Sequence, residues 1–217
     1  LGVKLVSVMP QAAAQGLGLD PAKIEIQLVQ FAILYRGGER VQMSTRAGRF
    51  VTLSELREEV GNDAARFFYV MRSNDQHLDF DLDLAKSRSK ENPVYYIQYA
   101  ITRSAGLFRK LAEKGWSYNS AAVANREALA GEAETDLLGE LMRFPETVES
   151  AALNRGPQIL ANSLREIAGA FHAFYENCDI LDEDESVRQA RLVLCKATAQ
   201  VLGNGLALLG VSAPERM

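Results

Sequence analysis

The sequence predicts a mostly α-helical protein with a small α/β part at its N-terminal end. Three observations carry this. An apolar, β-branched run over "KIEIQLVQFAILY" alternates at its start with period two, the mark of a strand. From about Ala85 onward the apolar spacing switches to the 3.6 period of amphipathic helices and stays there. Caps and breakers then divide that second part into four long helices with short connections, the pattern of a bundle.

Each element can be justified in chain order. The strand over residues 24–35 ends at Arg36-Gly37-Gly38-Glu39, a turn signal, and "RVQM" can return as its hairpin partner. Thr52 with Glu55 fits a capping box that opens the short helix "LSELREEV", and Gly61 closes it. "NDAARFFYVMRS" follows as a helix capped by Asn62 or Asp63. "HLDFDLDL" alternates and reads as extended. Asn92-Pro93 is a cap followed by proline at the first helical position. That helix should run to Gly115, a length of about 33 Å. "SYNSAAVANREALAGEAE" reads as a loop and a weak helix. "ETDLLGELMRFPETVESAAL" is amphipathic with a break at Pro145. The third long helix starts at Pro157. The fourth opens on the acidic run Asp182 to Glu185, favourable to the helix dipole, and ends near Gly210.

At 217 residues the chain has room for one large domain or two modest ones. The expected division is 1–84 and 85–217, with the junction inside 78–90. Hydrophobic residues make up 47%, ordinary for a globular chain. No apolar run approaches the roughly 20 residues of a membrane span. Residues 1–19 lack the charged start, apolar core and cleavage site of a secretory signal. A cytoplasmic protein without membrane contact is the expectation. Cys178 and Cys195 are the only cysteines, too few for a disulfide framework. His77 and His172 are the only histidines, and they form no close cluster with the cysteines for zinc. Asp79, Asp81 and Asp83 alternate, but three carboxylates on one strand face rarely suffice, so no metal is assigned. The chain opens on Leu1, and an excised piece of a larger protein is the favoured expectation.

The stretch "GGERVQMSTRAG", Gly37 to Gly48, gathers Arg40, Ser44, Thr45 and Arg46 on a glycine-flexible loop. Hydroxyls, backbone N–H groups and a guanidinium can hold phosphate oxygens. On composition alone a solvated basic hairpin is the better reading, and the spacing is not that of a Walker loop. Charge is also uneven. From Lys86 to Lys114 seven cations face Glu91 and Glu113, a local net of +5 in a chain whose net is -4. A locally basic helix on an acidic protein points to a polyanionic partner. On that helix Val94, Ile97, Ile101, Ala105 and Phe108 share one face. Tyr96, Tyr99 and Arg103 fall within about 60° of each other on roughly the opposite face. Packing on a neighbouring helix and contact with nucleic acid explain that placement equally well. Trp116 reads as a packing residue at a helix end, and His172 as a partly buried helix residue.

Family resemblance changes the weighting. "VQMSTRAG" resembles the second signature of class I aminoacyl-tRNA synthetases, usually Lys-Met-Ser-Lys-Ser. The surrounding "LYRGGERVQMSTRAGRFVTLSELREEVGNDAARFFYVMRS" resembles bacterial arginyl-tRNA synthetase. "DFDLDLAKSRSKENPVYYIQYAITR" resembles the entry to that family's helical anticodon-binding domain, and "LGNGLALLGVSAPERM" its closing segment. The resemblance runs in one register over residues 20–217. Gln42 and Thr45 stand where the generic signature has its two lysines. The upstream His-Ile-Gly-His signature has no counterpart in this sequence, since His77 and His172 are isolated.

The resemblance implies the tail of a Rossmann-type catalytic domain followed by an all-helical anticodon-binding bundle. It implies a parent ligase that joins arginine to its tRNA through arginyl-adenylate, with ATP and Mg2+ as substrate complex and no tightly bound cofactor. In that reading Met43, Ser44, Thr45 and Arg46 form the signature loop. Arg40, Gln42, Ser44 and Arg46 sit beside the ATP phosphates. Tyr96, Tyr99, Arg103, Tyr175 and Met217 contact the anticodon. The chain alone is expected to be a monomer and inactive; arginine-dependent ATP–pyrophosphate exchange by it would contradict this. The alternatives are a stand-alone helical RNA-binding module, a helical interaction protein without nucleic acid, and a cysteinyl or methionyl relative.

Overall fold

The computed structural model describes residues 10–43, 51–121 and 126–217. Gly37 and Gly38 both hold positive φ, 60° and 76°. Paired left-handed residues are what a two-residue hairpin turn needs. They join β1 (Ala32–Arg36) to β2 (Glu39–Arg40), with Tyr35 opposite Arg40 and Arg36 opposite Glu39. The expected hairpin is present, but the strand is shorter than its composition suggests. Residues 24–31 carry no strand, and Val29 and Phe31 are 77% and 82% exposed. β-propensity is a preference for packing on a pleated surface, and this stretch has no neighbouring strand along it: Glu25 pairs with Arg155, the Phe31 carbonyl accepts from the Leu78 N–H, and the middle is held through Asn74. Gln30 N–H donates to the Asn74 carbonyl, and the Asn74 amide donates to the Leu28 carbonyl.

α1 (Leu53–Val60) opens on the predicted capping box, with Thr52 and Glu55 satisfying each other's backbone donors. Gly61, at φ 84°, ends α1 and is also the cap of α2 (Asn62–Val70). Asp63 is therefore not a cap; its carboxylate is used in a long-range contact described below. β3 (Leu78–Asp81) pairs parallel to β1, with Ala32 opposite Leu78 and Leu34 opposite Phe80. The sheet order is β2-β1-β3, and α1 and α2 form the crossover a parallel pair requires. The alternating stretch after His77 is extended only to Asp81. There Asp81 accepts from the Asp83 and Leu84 amides and starts α3 (Leu82–Lys86).

The helical part holds α4 (Pro93–Glu113), α5 (Glu132–Leu153), α6 (Pro157–Asn177) and α7 (Glu185–Leu208). Among the described residues no strand lies between 93 and 210. Asn92 holds the cap position of α4 without a side-chain cap bond. Its amide donates instead to the Ala85 and Ser87 carbonyls at 3.1 and 2.8 Å, fixing the turn out of α3. α5 runs unbroken through Pro145, contrary to the predicted break. Pro145 is on the exposed side, where water can take up the carbonyl it frees, while Leu137, Leu138, Leu141, Phe144 and Val148 pack inward. Asp184 caps α7, accepting from the Ser186 and Val187 amides, so the acidic run is a helix start as predicted. One buried cluster runs from Leu34, Phe67 and Phe80 through Val94 and Ile97 to Phe171, Leu192 and Leu202.

Candidate nucleic-acid interface

Two surfaces follow from the sequence. On the hairpin, Arg40, Gln42 and Met43 are exposed; Ser44, Thr45 and Arg46 lie outside the described residues. The base of the hairpin is tied down by charge. Arg36 and Lys86 both reach Glu59 on α1, at 2.6 and 2.9 Å. The Gly37 N–H donates to the Asp83 carboxylate at 2.6 Å. That backbone bond, chiefly, holds the Asp83 carboxyl below its ordinary range, and the bond from Lys86 chiefly does the same for Glu59.

The second surface lies where α4 meets α6. α4 buries more of its circumference than its apolar stripe requires. Val94, Ile97 and Ile101 are buried as predicted, but so are Ala100, Ser104, Leu107 and Leu111. Tyr96, Tyr99 and Arg103 lie on the side toward α6 and touch it, so the packing reading of that face holds in part. The Arg103 guanidinium sits 4.8 Å from the Tyr99 ring centre and 4.7 Å from that of Tyr175. One guanidinium nitrogen reaches Glu176 at 3.2 Å. The Tyr96 ring packs on His172 with centres 4.5 Å apart. Gly169 lies beside it, where a Cβ would make only an ordinary contact of 3.7 Å with the Tyr96 hydroxyl. Burial raises the Tyr96 hydroxyl above its ordinary range.

Three residues join this cluster that spacing alone did not select. Tyr95 stacks on Tyr99, centres 5.9 Å apart and planes 13° apart, which the i, i+4 relation could have signalled. His172 and Glu176 arrive from α6, and only tertiary packing brings them in. Tyr99 remains 36% exposed, so the cluster is open to solvent. A groove of about 610 Å³ runs over it, lined by Arg88, Lys90, Tyr95, Tyr99, Arg103 and Glu176 among others. A second, of about 640 Å³, adjoins it at Lys90, Tyr96 and Gly169 and adds Arg165. A larger cavity of about 830 Å³ between α5 and α6 carries Glu132, Glu134, Asp136, Glu140 and Glu166 against Arg143 and Arg191. Its charge is wrong for a polyanion.

Met217 is not brought into the tyrosine–arginine cluster. The closing segment runs along a neighbouring stripe of α4. Gln98 donates to the Ser212 carbonyl, Thr102 to that of Pro214 and Arg109 to that of Glu215. Met217 ends beyond that last contact, 50% exposed. Trp116 is 39% exposed, between Lys114 at 4.7 Å and Arg188 at 4.2 Å. His172 is a buried helix residue, as expected. Among the described residues no group of three or more His, Cys, Asp or Glu could hold a metal ion, and no helix is long and apolar enough to cross a membrane.

Known proteins resemble this chain in sequence and in fold. The chain is 58% identical over 207 residues to an arginine–tRNA ligase of Acidithiobacillus ferrooxidans, covering 95% of this chain and 36% of that protein. It is 57% identical over 208 residues to the one of Halorhodospira halophila, with the same coverage. The chain thus spans about a third of the length of these curated relatives. Arginyl-tRNA synthetase of Thermus thermophilus superposes with a TM-score of 0.67 at 26% identity, covering 85% of this chain and 34% of that one. A Campylobacter jejuni structure assigned to the same enzyme gives 0.80 at 28%, covering 95% and 44%. The DALR anticodon binding domain family matches residues 97–217, which hold α4 from its second turn and all of α5 to α7. On that match the chain belongs to the DALR anticodon-binding family, as a C-terminal portion of arginyl-tRNA synthetase.

Proposed function

We propose that this chain reads the anticodon of the tRNA for arginine, on behalf of a ligase that charges that tRNA. The observation that carries the reading is Arg103, within 4.8 Å of the Tyr99 ring centre and 4.7 Å of that of Tyr175, in the lining of an open basic groove. Unstacked RNA bases are held by aromatic faces and guanidinium planes, and their edges are read by hydrogen bonds. Tyr96, Tyr99, Arg103 and Tyr175 supply those faces. Met217, at the end of the segment that runs along the next stripe of α4, would border the site rather than build its floor. Lys90, Arg88 and Arg165 would meet the phosphates.

The whole ligase would activate arginine with ATP, releasing pyrophosphate, and pass the arginyl group to its tRNA. Positioning and charge neutralisation are the main demands of that chemistry. In it, Met43, Ser44, Thr45 and Arg46, with Arg40 and Gln42 beside them, would steady the phosphates of ATP and its Mg2+. Anchoring of the hairpin base by Glu59 and Asp83 supports this, because it fixes the approach of that loop. Residues 85–217 would form the anticodon-reading domain, and 1–84 the link to the catalytic one. A monomeric, cytoplasmic protein fits the reading.

The test is binding of the cognate anticodon stem-loop by the full chain. Stacking is worth roughly 1–3 kcal/mol per base, so Tyr99→Ala should weaken binding about five- to a hundredfold. Circular dichroism would confirm the fold. Equal affinity of wild type and Tyr99→Ala would refute the assignment of this face.

A further inference from the structure

His172 lies beneath the reading face, and its two ring nitrogens have different obligations. Nδ1 is 3.2 Å from an Arg103 guanidinium nitrogen, and Nε2 is 3.1 Å from the Tyr96 carbonyl oxygen. A guanidinium can only donate and a carbonyl can only accept. Nδ1 must therefore be a bare acceptor and Nε2 must carry the proton. Only the neutral Nε2–H imidazole satisfies both partners. The ring is also wedged among aromatic rings, with centres 4.5 Å from Tyr96, 5.7 Å from Tyr99 and, edge-on, 6.0 Å from Phe171. The charged groups facing it are Arg103 from α4 and Glu176 from α6.

We propose that His172 is a positioning residue for RNA recognition: its neutral imidazole holds Arg103 between Tyr99 and Tyr175, and its protonation releases Arg103 and weakens RNA binding. The inference rests on the anticodon reading of the face. A proton on Nδ1 would point at the guanidinium, remove its acceptor and set two cations about one hydrogen bond apart. Glu176 could then compete for the freed arginine, being already its partner at 3.2 Å.

The sign of the effect follows. Burial chiefly lowers the His172 pKa below its ordinary value, the bond to the Tyr96 carbonyl raises it, the Arg103 charge lowers it and Glu176 raises it, with a net lowering. The neutral state dominates at neutral pH, and the competent geometry is lost as pH falls through the lowered value. Each pH unit below that value should cost up to about tenfold in affinity. A histidine that merely offered charge to a phosphate would do the reverse, since protonation would tighten binding.

The experiment measures affinity of the full chain for the cognate anticodon stem-loop between about pH 7.5 and about pH 4.5, a window that reaches below the ordinary histidine range because burial lowers His172. It uses wild type, His172→Asn, His172→Phe and, as a control, His77→Gln at the exposed second histidine. Wild type and His77→Gln should weaken together on acidification. His172→Asn offers an amide oxygen in place of Nδ1 and cannot be protonated. It should bind about threefold more weakly than wild type at neutral pH, with a flat pH profile. His172→Phe keeps the shape without the acceptor and should lose about tenfold at every pH, one charged hydrogen bond's worth. Nitrogen-15 spectra of the free protein should show an unprotonated Nδ1 and a protonated Nε2. An unchanged acid profile in His172→Asn, tighter binding at low pH, or the opposite tautomer would overturn the role of His172 while leaving the anticodon reading in place. Wild type that binds no stem-loop at neutral pH would overturn both.

Discussion

Arg103 is held by the Tyr99 and Tyr175 rings, by His172 and by the Glu176 carboxylate. The Glu176 partner is 66% exposed, so that ion pair contributes little; the ring contacts and the His172 bond fix the geometry. Lysine would keep the charge and lose the plane and the fork. Arg103→Lys should therefore retain the salt dependence of RNA binding while lowering affinity about five- to thirtyfold, or about 1–2 kcal/mol. Titrations at several salt concentrations separate the two effects, and wild-type affinity in this variant would show that the guanidinium plane is unused. The residue scale also shows the limit of helical spacing. It placed Tyr96, Tyr99 and Arg103 together, because one helix carries all three. It gave no sign of His172 or Glu176, which sit about 70 positions away and arrive by packing.

α6 and α7 cross at a point that admits no side chain on one partner. A Cβ on Gly205 would drive into the Leu164 side chain, which is fully buried. Alanine is worth about 1 kcal/mol more than glycine in a helix interior, yet overpacking costs typically 1–3 kcal/mol. Gly205→Ala should thus fail to stabilise and should lower the thermal midpoint. A rise in that midpoint by calorimetry would mean that Leu164 has somewhere to go. Sequence reading saw this glycine only as part of a helical run, since nothing local marks a crossing. Pro145 erred in the other direction. Its local rule says break, but the inward stripe of α5 holds the helix together and its exposed side leaves the freed carbonyl to water.

The closing segment joins the two parts of the molecule. Asp63 on α2 accepts from the Ser212 N–H at 3.2 Å, from the Ser212 hydroxyl and from the Gln98 amide at 2.9 Å. Gln98 also donates to the Ser212 carbonyl at 3.0 Å, and Arg66 on α2 donates to that of Leu209. A helix of the α/β part, α4 and the closing segment of the bundle are thereby pinned at one knot. Asp63→Ala leaves several donors without their acceptor and should cost about 1–3 kcal/mol. It should speed amide exchange at Val211 to Glu215 before it affects α6. Exchange rates there that match wild type would show that the knot carries no load.

Much of this was fixed by local sequence. Period and caps determine the helices: Thr52 with Glu55, Pro93, Pro157 and Asp184 each start one within a few residues, because a helix end is a local hydrogen-bonding problem. The two positive-φ glycines determine the hairpin for the same reason. Basic and aromatic residues on one helix raised the expectation of a polyanion-facing surface before any contact was known. Tertiary structure decided the rest. It set the parallel pairing of β1 with β3, since strand order depends on a crossover that no local pattern encodes. It left residues 24–31 without a strand for want of a partner, and it diverted Asp63 from capping to the knot. It turned a histidine in an apolar run into a two-sided acceptor and donor, because the groups that define its protonation state lie on another helix.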